Sequence, residues 1–470
     1  MNLKLLAAAA LLACAPLAAE TFSESDLETA RELKTTALAG DGGFEIVADL
    51  TTLIGPRMAG SDGEKRAVKW AQKMLRDQGF DRVWTEPATF PVWRRYGQSA
   101  KVVSPASQPL TALALGFSPS TPEGGIESEV VMLDDLEALE NVSEDEVAGR
   151  IIFVRNRMER TRSGAGYGQA VGVRSGGARI AAAKGAAALV IRSIGTSDNR
   201  FAHAGMQRHE KDVDMVPALA ISNPDADLLE RLMAGDETVK MQVEVDAETV
   251  DAHTSYNVIG EITGDGKPDE IVALGAHLDS WDVGTGALDD GAGVAIVTEA
   301  ASLIAGLEQR PERSIHVILF AAEETGLWGG HAWAEAHADD IENYQLVAES
   351  DFGDGKIYAI SARVSDEAWP VIQAIQKELA PLGIELGARR ASGGPDFSPA
   401  LPLGVAAVDL HQDGTRYFDY HHTENDTLDK VDAESLAQNA AAYAVLAWLG
   451  AQSPVTFGSG KTILQQEKGD

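Results

Sequence analysis

The stretch ALGAHLDSWDVGTGALDDGAG, Ala273 to Gly293, decides how this chain folds. An apolar run hands His277 and Asp279 to a glycine-rich loop, and the loop delivers Asp289-Asp290-Gly291 at the head of a helix-like segment. Apolar strand, polar loop and helix make up the repeating unit of a parallel α/β sheet, in which ligands gather at the strands' carboxyl ends. The pattern recurs downstream. Glu323-Glu324 follows the apolar run Ile315 to Phe320, Asp351 follows another, and His421-His422 lies near the end. Imidazoles and carboxylates just past strand ends are the donor set of a hydrolytic dizinc centre.

From residue 256 onward, strands and helices alternate. Strands are expected at 257–262, 271–275, 314–320, 346–349, 356–360 and 405–410, and helices at 291–303, 331–338, 366–379 and 433–449. Buried-looking strands in alternation predict an α/β fold with a mostly parallel central sheet covered by helices on both faces. Before it, helices are expected at 22–38 (capped by Ser25 or Asp26), 44–53 and 64–78, then strand-like text to Trp93.

Residues 102–250 change character, with short apolar runs between Gly- and Ser-rich loops and helices at 178–184 and 224–233. No triad, ligand cluster or phosphate loop stands out here. It reads as an inserted α/β module acting as a lid, in recognition or at a homodimer contact. The expected organisation is a signal at 1–19, the first part of the catalytic domain at 20–101, the insert at 102–250, the rest of the catalytic domain at 251–451, and a loosely held polar tail at 452–470.

The N-terminus, MNLKLLAAAALLACAPLAAE, has Lys4 before an apolar core and a small-residue cleavage context, as secretory signals do. It is too short to span a bilayer, and no later segment is apolar for long enough. The expected destination is the periplasm or the exterior. The sole cysteine, Cys14, lies in this segment, so the mature chain has no disulfide and no thiol chemistry. Leu11-Leu12-Ala13-Cys14 offers the alternative of an outer-membrane lipoprotein anchored at Cys14. The formal charge of −33, from 72 acidic and 39 basic side chains, excludes nucleic acid or an anionic membrane as partner through a basic field.

Each donor has a bland reading that its company overturns. Asp289 sits in a turn that alone would be a helix cap. A bridging ligand must be short and rigidly held, which suits this position. Asp279 can hold the second nitrogen of His277. Of the pair Glu323-Glu324, one carboxylate can bind metal while its neighbour takes a proton from the attacking water, and Glu323 is the candidate base. Asp351 is a terminal-ligand candidate. Spacing does not choose between His421 and His422. No nucleophile elbow, phosphate-binding loop or His-Glu-x-x-His helix competes, and Gly164-x-Gly166-x-Gly168 follows no clear strand–helix pattern.

Taken together, these motifs resemble the co-catalytic dizinc exopeptidases of aminopeptidase-type fold, in the carboxypeptidase Q-like branch. The resemblance runs over nearly all of the mature chain. It rests on Ile54-Gly55-Pro56-Arg57-Met58-Ala59-Gly60-Ser61, His277 to Gly284 with Asp289-Asp290-Gly291, Glu349-Ser350-Asp351, and Tyr417-Phe418 with His421-His422-Thr423. Gly177 to Ser193 with Val216 to Ser222 resembles the protease-associated insert of that branch. The resemblance implies two zinc ions, one held by His277, Asp289 and Asp351, the other by Asp289, Glu324 and His422. Asp289 bridges, Glu323 is the general base, and Asp279 supports His277. It selects His422 over His421, and it implies a cis peptide between Asp289 and Asp290. Gly393-Gly394-Pro395-Asp396 resembles a loop near the site. The expected substrate is a dipeptide or short peptide with a free terminus. The alternatives are a non-catalytic binding protein on the same scaffold and a single-metal amidohydrolase or cyclase.

Overall fold

The computed structural model describes residues 21–210 and 213–468; the signal at 1–19, with Cys14, lies outside the described residues. The strands are β1 (Arg82–Ser104), β2 (Gln108–Leu110), β3 (Ala112–Ala114), β4 (Ile126–Leu133), β5 (Ile151–Val154), β6 (Ala188–Arg192), β7 (Ala218–Ile221), β8 (Lys240–Ile262), β9 (Lys267–His277), β10 (Arg313–Phe320), β11 (Tyr344–Glu349), β12 (Ile357–Arg363), β13 (Glu385–Leu386) and β14 (Ala407–Gln412). They join into one 14-stranded sheet.

The centre of the sheet is parallel. β9 lies between β10 and β11, and β14 continues beyond β11, all in one direction. Every residue of β10 and β11 is buried, which explains why these strands read as unbroken apolar runs. Along β9, Val272, Leu274 and Ala276 pack into one core with the helices Ala292–Ala305 and Ala433–Ala451. Ala273, between them, faces the opposite core with Trp333, Tyr344 and Phe397. That alternation places helices on both faces. The flanks are antiparallel, β8 against β10 and β12 against β14.

Two long strands lead into and out of the inserted segment. β1 and β8 pair antiparallel from Arg82–Glu261 to Ser104–Lys240, so positions 102 and 250 both fall inside unbroken strands. Beyond them β4, β5, β6 and β7 form a parallel stretch of the sheet, joined to β8 through β4. Among the described residues, no helix is long and apolar enough to cross a membrane.

Three expectations change. The helix expected at 178–184 runs over Ala165–Ala183. Glycine lowers helix propensity and hides the apolar stripe, but here it allows close packing. A Cβ at Gly166 would lie 2.1 Å from the Glu159 carbonyl oxygen, and one at Gly177 3.0 Å from Leu189. The first helix is capped by Ser23, not Ser25 or Asp26; Asp26 is the far side of its capping box. The tail is held down. The Arg313 guanidinium donates to the Ser453 and Val455 carbonyls, and Phe457 and Ile463 are buried in the main core. Polarity there reflects the solvent face of the short helix Lys461–Gln466, and two apolar anchors hold it.

Candidate active site

Parallel strands end at one edge, so the loops after β9, β10, β11 and β14 meet there. His277 is the last residue of β9. Glu323 and Glu324 follow β10, Asp351 follows β11, and His421 and His422 follow β14. All the candidates named from the sequence are brought together.

The loop carrying Asp289 is held from behind. Its peptide bond to Asp290 is cis. The Asp426 carboxylate accepts from the amides of Leu288 (2.7 Å) and Asp289 (3.2 Å). Arg57, from the early Ile54 to Ser61 motif, is fully buried and donates to the carbonyls of Leu278, Thr285 and Gly286 at 2.6–2.8 Å. Asp290 lies beside His277 and Asp351, but its two carboxylate oxygens accept from the amides of His277 and Gly293 at 3.1 and 3.0 Å.

Asp289 addresses two histidines at once. Its Oδ1 lies 3.1 Å from His277 Nε2, and its Oδ2 lies 3.2 Å from His422 Nε2. Asp351 Oδ1 stands 3.4 Å from His277 Nε2, and Glu324 Oε2 stands 3.0 Å from His422 Nε2. Each imidazole has its other nitrogen on a backbone carbonyl, His277 Nδ1 on Asp279 (3.2 Å) and His422 Nδ1 on Ala204 (3.2 Å). With those nitrogens donating, both Nε2 lone pairs face carboxylate oxygens. Acceptors facing acceptors need a cation between them. Asp289 Oδ2 and Glu324 Oε1 are also buried without a hydrogen-bond partner. The imidazole and carboxylate donors suit zinc.

Asp279 does more than orient its neighbour. Its Oδ1 accepts the Glu323 amide at 3.0 Å and lies 3.6 Å from His277 Nδ1, so it ties the β9 loop to the β10 loop. Glu323 is half-buried beside this junction. Burial pushes its carboxyl well above the ordinary range; His277 pulls against it, and the charges of Asp351, Glu324 and Asp396 add to the rise. Asp396 is fully buried, and its amide donates to Glu349 at 2.8 Å.

His421 and His422 stack face to face at 3.5 Å, and His421 Nε2 is 3.8 Å from Asp289. His422 adopts φ 62°, a conformation costly for a side-chain-bearing residue. Ala204 of the inserted segment holds it there, donating its amide to the His422 carbonyl at 2.8 Å while accepting from its ring.

The inserted segment also roofs the cluster. A cleft of about 430 Å³ is lined by Asp289, Glu324, Asp351 and His422 below and by Tyr167, Arg174 and Met206 above, with Phe352, Leu327 and Phe418 at its sides. Tyr167 stacks on Phe418 at 5.0 Å and meets His421 edge-on at 5.3 Å. Arg160 grips Asp419 with both guanidinium nitrogens, at 2.8 and 2.6 Å. The sequence reading missed Tyr167 and Arg174. Their spacing of seven, two helical turns, was the available signal, lost when the helix was begun at 178.

Residues 257–447 match the model of peptidase family M28. Carboxypeptidase Q of Bos taurus is 33% identical over 406 residues, covering 86% of this chain and 84% of that protein. A crystal structure of a peptidase M28 precursor from Shewanella amazonensis superposes with a TM-score of 0.90 at 50% identity, covering 92% of this chain and 98% of the other. A zinc aminopeptidase of Bacillus subtilis shares the fold with a TM-score of 0.63 at 21% identity, over 86% of this chain and 94% of the other.

Proposed function

This chain belongs to peptidase family M28, and on that premise we propose that it is an exported dizinc exopeptidase that cleaves dipeptides and other short peptides with a free terminus. Metallopeptidase chemistry and kinship with carboxypeptidase Q come with the family; the ion count, residue roles, substrate and destination are the proposal.

His277, Asp289 and Asp351 hold one ion, and Asp289, Glu324 and His422 hold the other. The observation that carries this is Asp289, whose two oxygens address two different histidines. Asp290 and His421 are not ligands in this reading. The first is engaged by two backbone amides, and the second stacks behind His422. When bound, zinc supplies Lewis acidity that polarises the scissile carbonyl and acidifies water.

Glu323 takes the proton of the attacking water and returns it to the leaving amine. Burial raises its carboxyl above the ordinary range, which favours holding the proton between the two steps. Asp279 positions it through the Glu323 amide. Tyr167, Met206 and Phe418 keep bulk water off the reacting carbonyl, and a roof over the cleft favours short substrates. The inserted segment is therefore read as a protease-associated lid. The signal-like N-terminus supports export, with lipidation at Cys14 as the anchored form; the mass of the mature N-terminus decides between them.

A dipeptide panel tests the activity. Hydrolysis should disappear on chelation and return with zinc. Turnover that survives complete chelation, or no turnover across the panel with zinc restored, would sink the proposal.

A further inference from the structure

Among the described residues four arginines are buried, and one differs from the rest. Arg57, Arg192 and Arg313 are fully buried with every guanidinium nitrogen hydrogen-bonded to a carbonyl or carboxylate. Arg174 is only 6% exposed, yet its Nε and Nη1 have no partner, and its Nη2 donates only to the Tyr167 hydroxyl at 2.6 Å. Among the described residues it has no carboxylate partner. A buried guanidinium without an anion is expensive, and a fold keeps one where an anion arrives later.

Its place identifies the anion. Arg174 is the sole Lys or Arg among the residues lining the cleft, and the other charged residues there are acids and histidines of the catalytic cluster. The Arg174 guanidinium carbon lies 5.4 Å from the centre of the Tyr167 ring, and that ring lies 5.3 Å from His421, itself stacked on the ligand candidate His422. At ~3.3–3.6 Å per extended residue, a short peptide bound over the cluster brings its terminal carboxylate within reach of the guanidinium.

We propose that Arg174 receives a substrate carboxylate, and that it makes the cleft selective for dipeptides by binding the terminal carboxylate of the leaving residue. Arg suits this, since its planar fork bonds both oxygens of a carboxylate. Tyr167 fixes one arm of the fork and leaves the others for the ligand. The inference deepens the exopeptidase reading and rests on it.

The test is binding without turnover. The Glu323→Gln protein, loaded with zinc, is titrated calorimetrically with a neutral dipeptide, with its C-terminal amide, and with the amide of a dipeptide ending in glutamate. The free acid should bind at least tenfold more tightly than its amide. Arg174→Met in the same background should erase that preference, and Arg174→Lys, which keeps the charge and loses the fork, should retain part of it. Equal binding of acid and amide, or a preference that survives Arg174→Met, overturns the proposal. Tighter binding of the glutamate amide than of the neutral acid overturns the terminal assignment in favour of an acidic side chain. Wild-type turnover is read separately. An Arg174-dependent preference in a protein that hydrolyses none of these peptides would sink the peptidase reading and leave the carboxylate site standing.

Discussion

The floor and the roof of the cleft are built by different rules. The floor comes from the loops that follow β9, β10, β11 and β14 at one edge of the sheet. It is fixed by the sheet and braced by Arg57 and Asp426. The roof comes from the inserted segment, more than a hundred residues earlier than the ligand loop it covers. It touches that loop through Ala204, Arg160 and Tyr167. The contrast separates two jobs. In the proposed reading the floor performs the chemistry and the roof decides which peptide reaches it.

The sharpest way to break this division is at the floor. Glu323→Gln should lower kcat by roughly 10³-fold or more while zinc content stays at the wild-type level. A variant with near wild-type kcat would remove Glu323 from the role of base.

The next effect is at the junction. Arg160→Ala removes a bidentate, partly exposed ion pair to Asp419 (2.8 and 2.6 Å), worth about 1 kcal/mol once screened by solvent. Loosening the roof should then raise KM roughly fivefold with kcat and zinc content little changed. A fall in kcat at unchanged KM would mean that the roof takes part in the chemistry.

The smallest effect belongs to a residue on neither wall. Glu64 is buried, and burial raises its carboxyl to about 7, offset in part by bonds from Ser255 and Gly60. A folded pKa above the unfolded value means that the folded chain holds the proton more tightly. That contribution is present below about pH 4 and is lost as pH rises through about 7. Glu64→Gln should therefore raise the melting temperature by about 2–4 °C at pH 8 and hardly at all at pH 4, with activity unchanged. An equal gain at both pH values would refute the titration.

The same contrast explains what the sequence disclosed. The floor was legible because a fully buried parallel strand must be an unbroken apolar run, as in β10, and the first polar residues after it are forced to the sheet edge. Glu323, Glu324 and Asp351 stand out for that reason. The orientation of His422 was not legible from spacing. It depends on Ala204, which holds the ring from 218 positions away. Arg57 and Asp426 were likewise obscure as braces, since their partners are backbone atoms that any sequence would supply. The roof was least legible of all. Glycines that let the helix Ala165–Ala183 approach Glu159 and Leu189 also erased its periodicity, and with it Tyr167 and Arg174.

The central claim is that Asp289 joins two ions into one catalytic unit, and elemental analysis of purified wild-type and Asp289→Ala protein tests it most directly. The account predicts two zinc ions per chain in the wild type and a fall toward none in the variant, because both sites lose a ligand together. One ion per chain in the wild type, or two retained in Asp289→Ala, would contradict it.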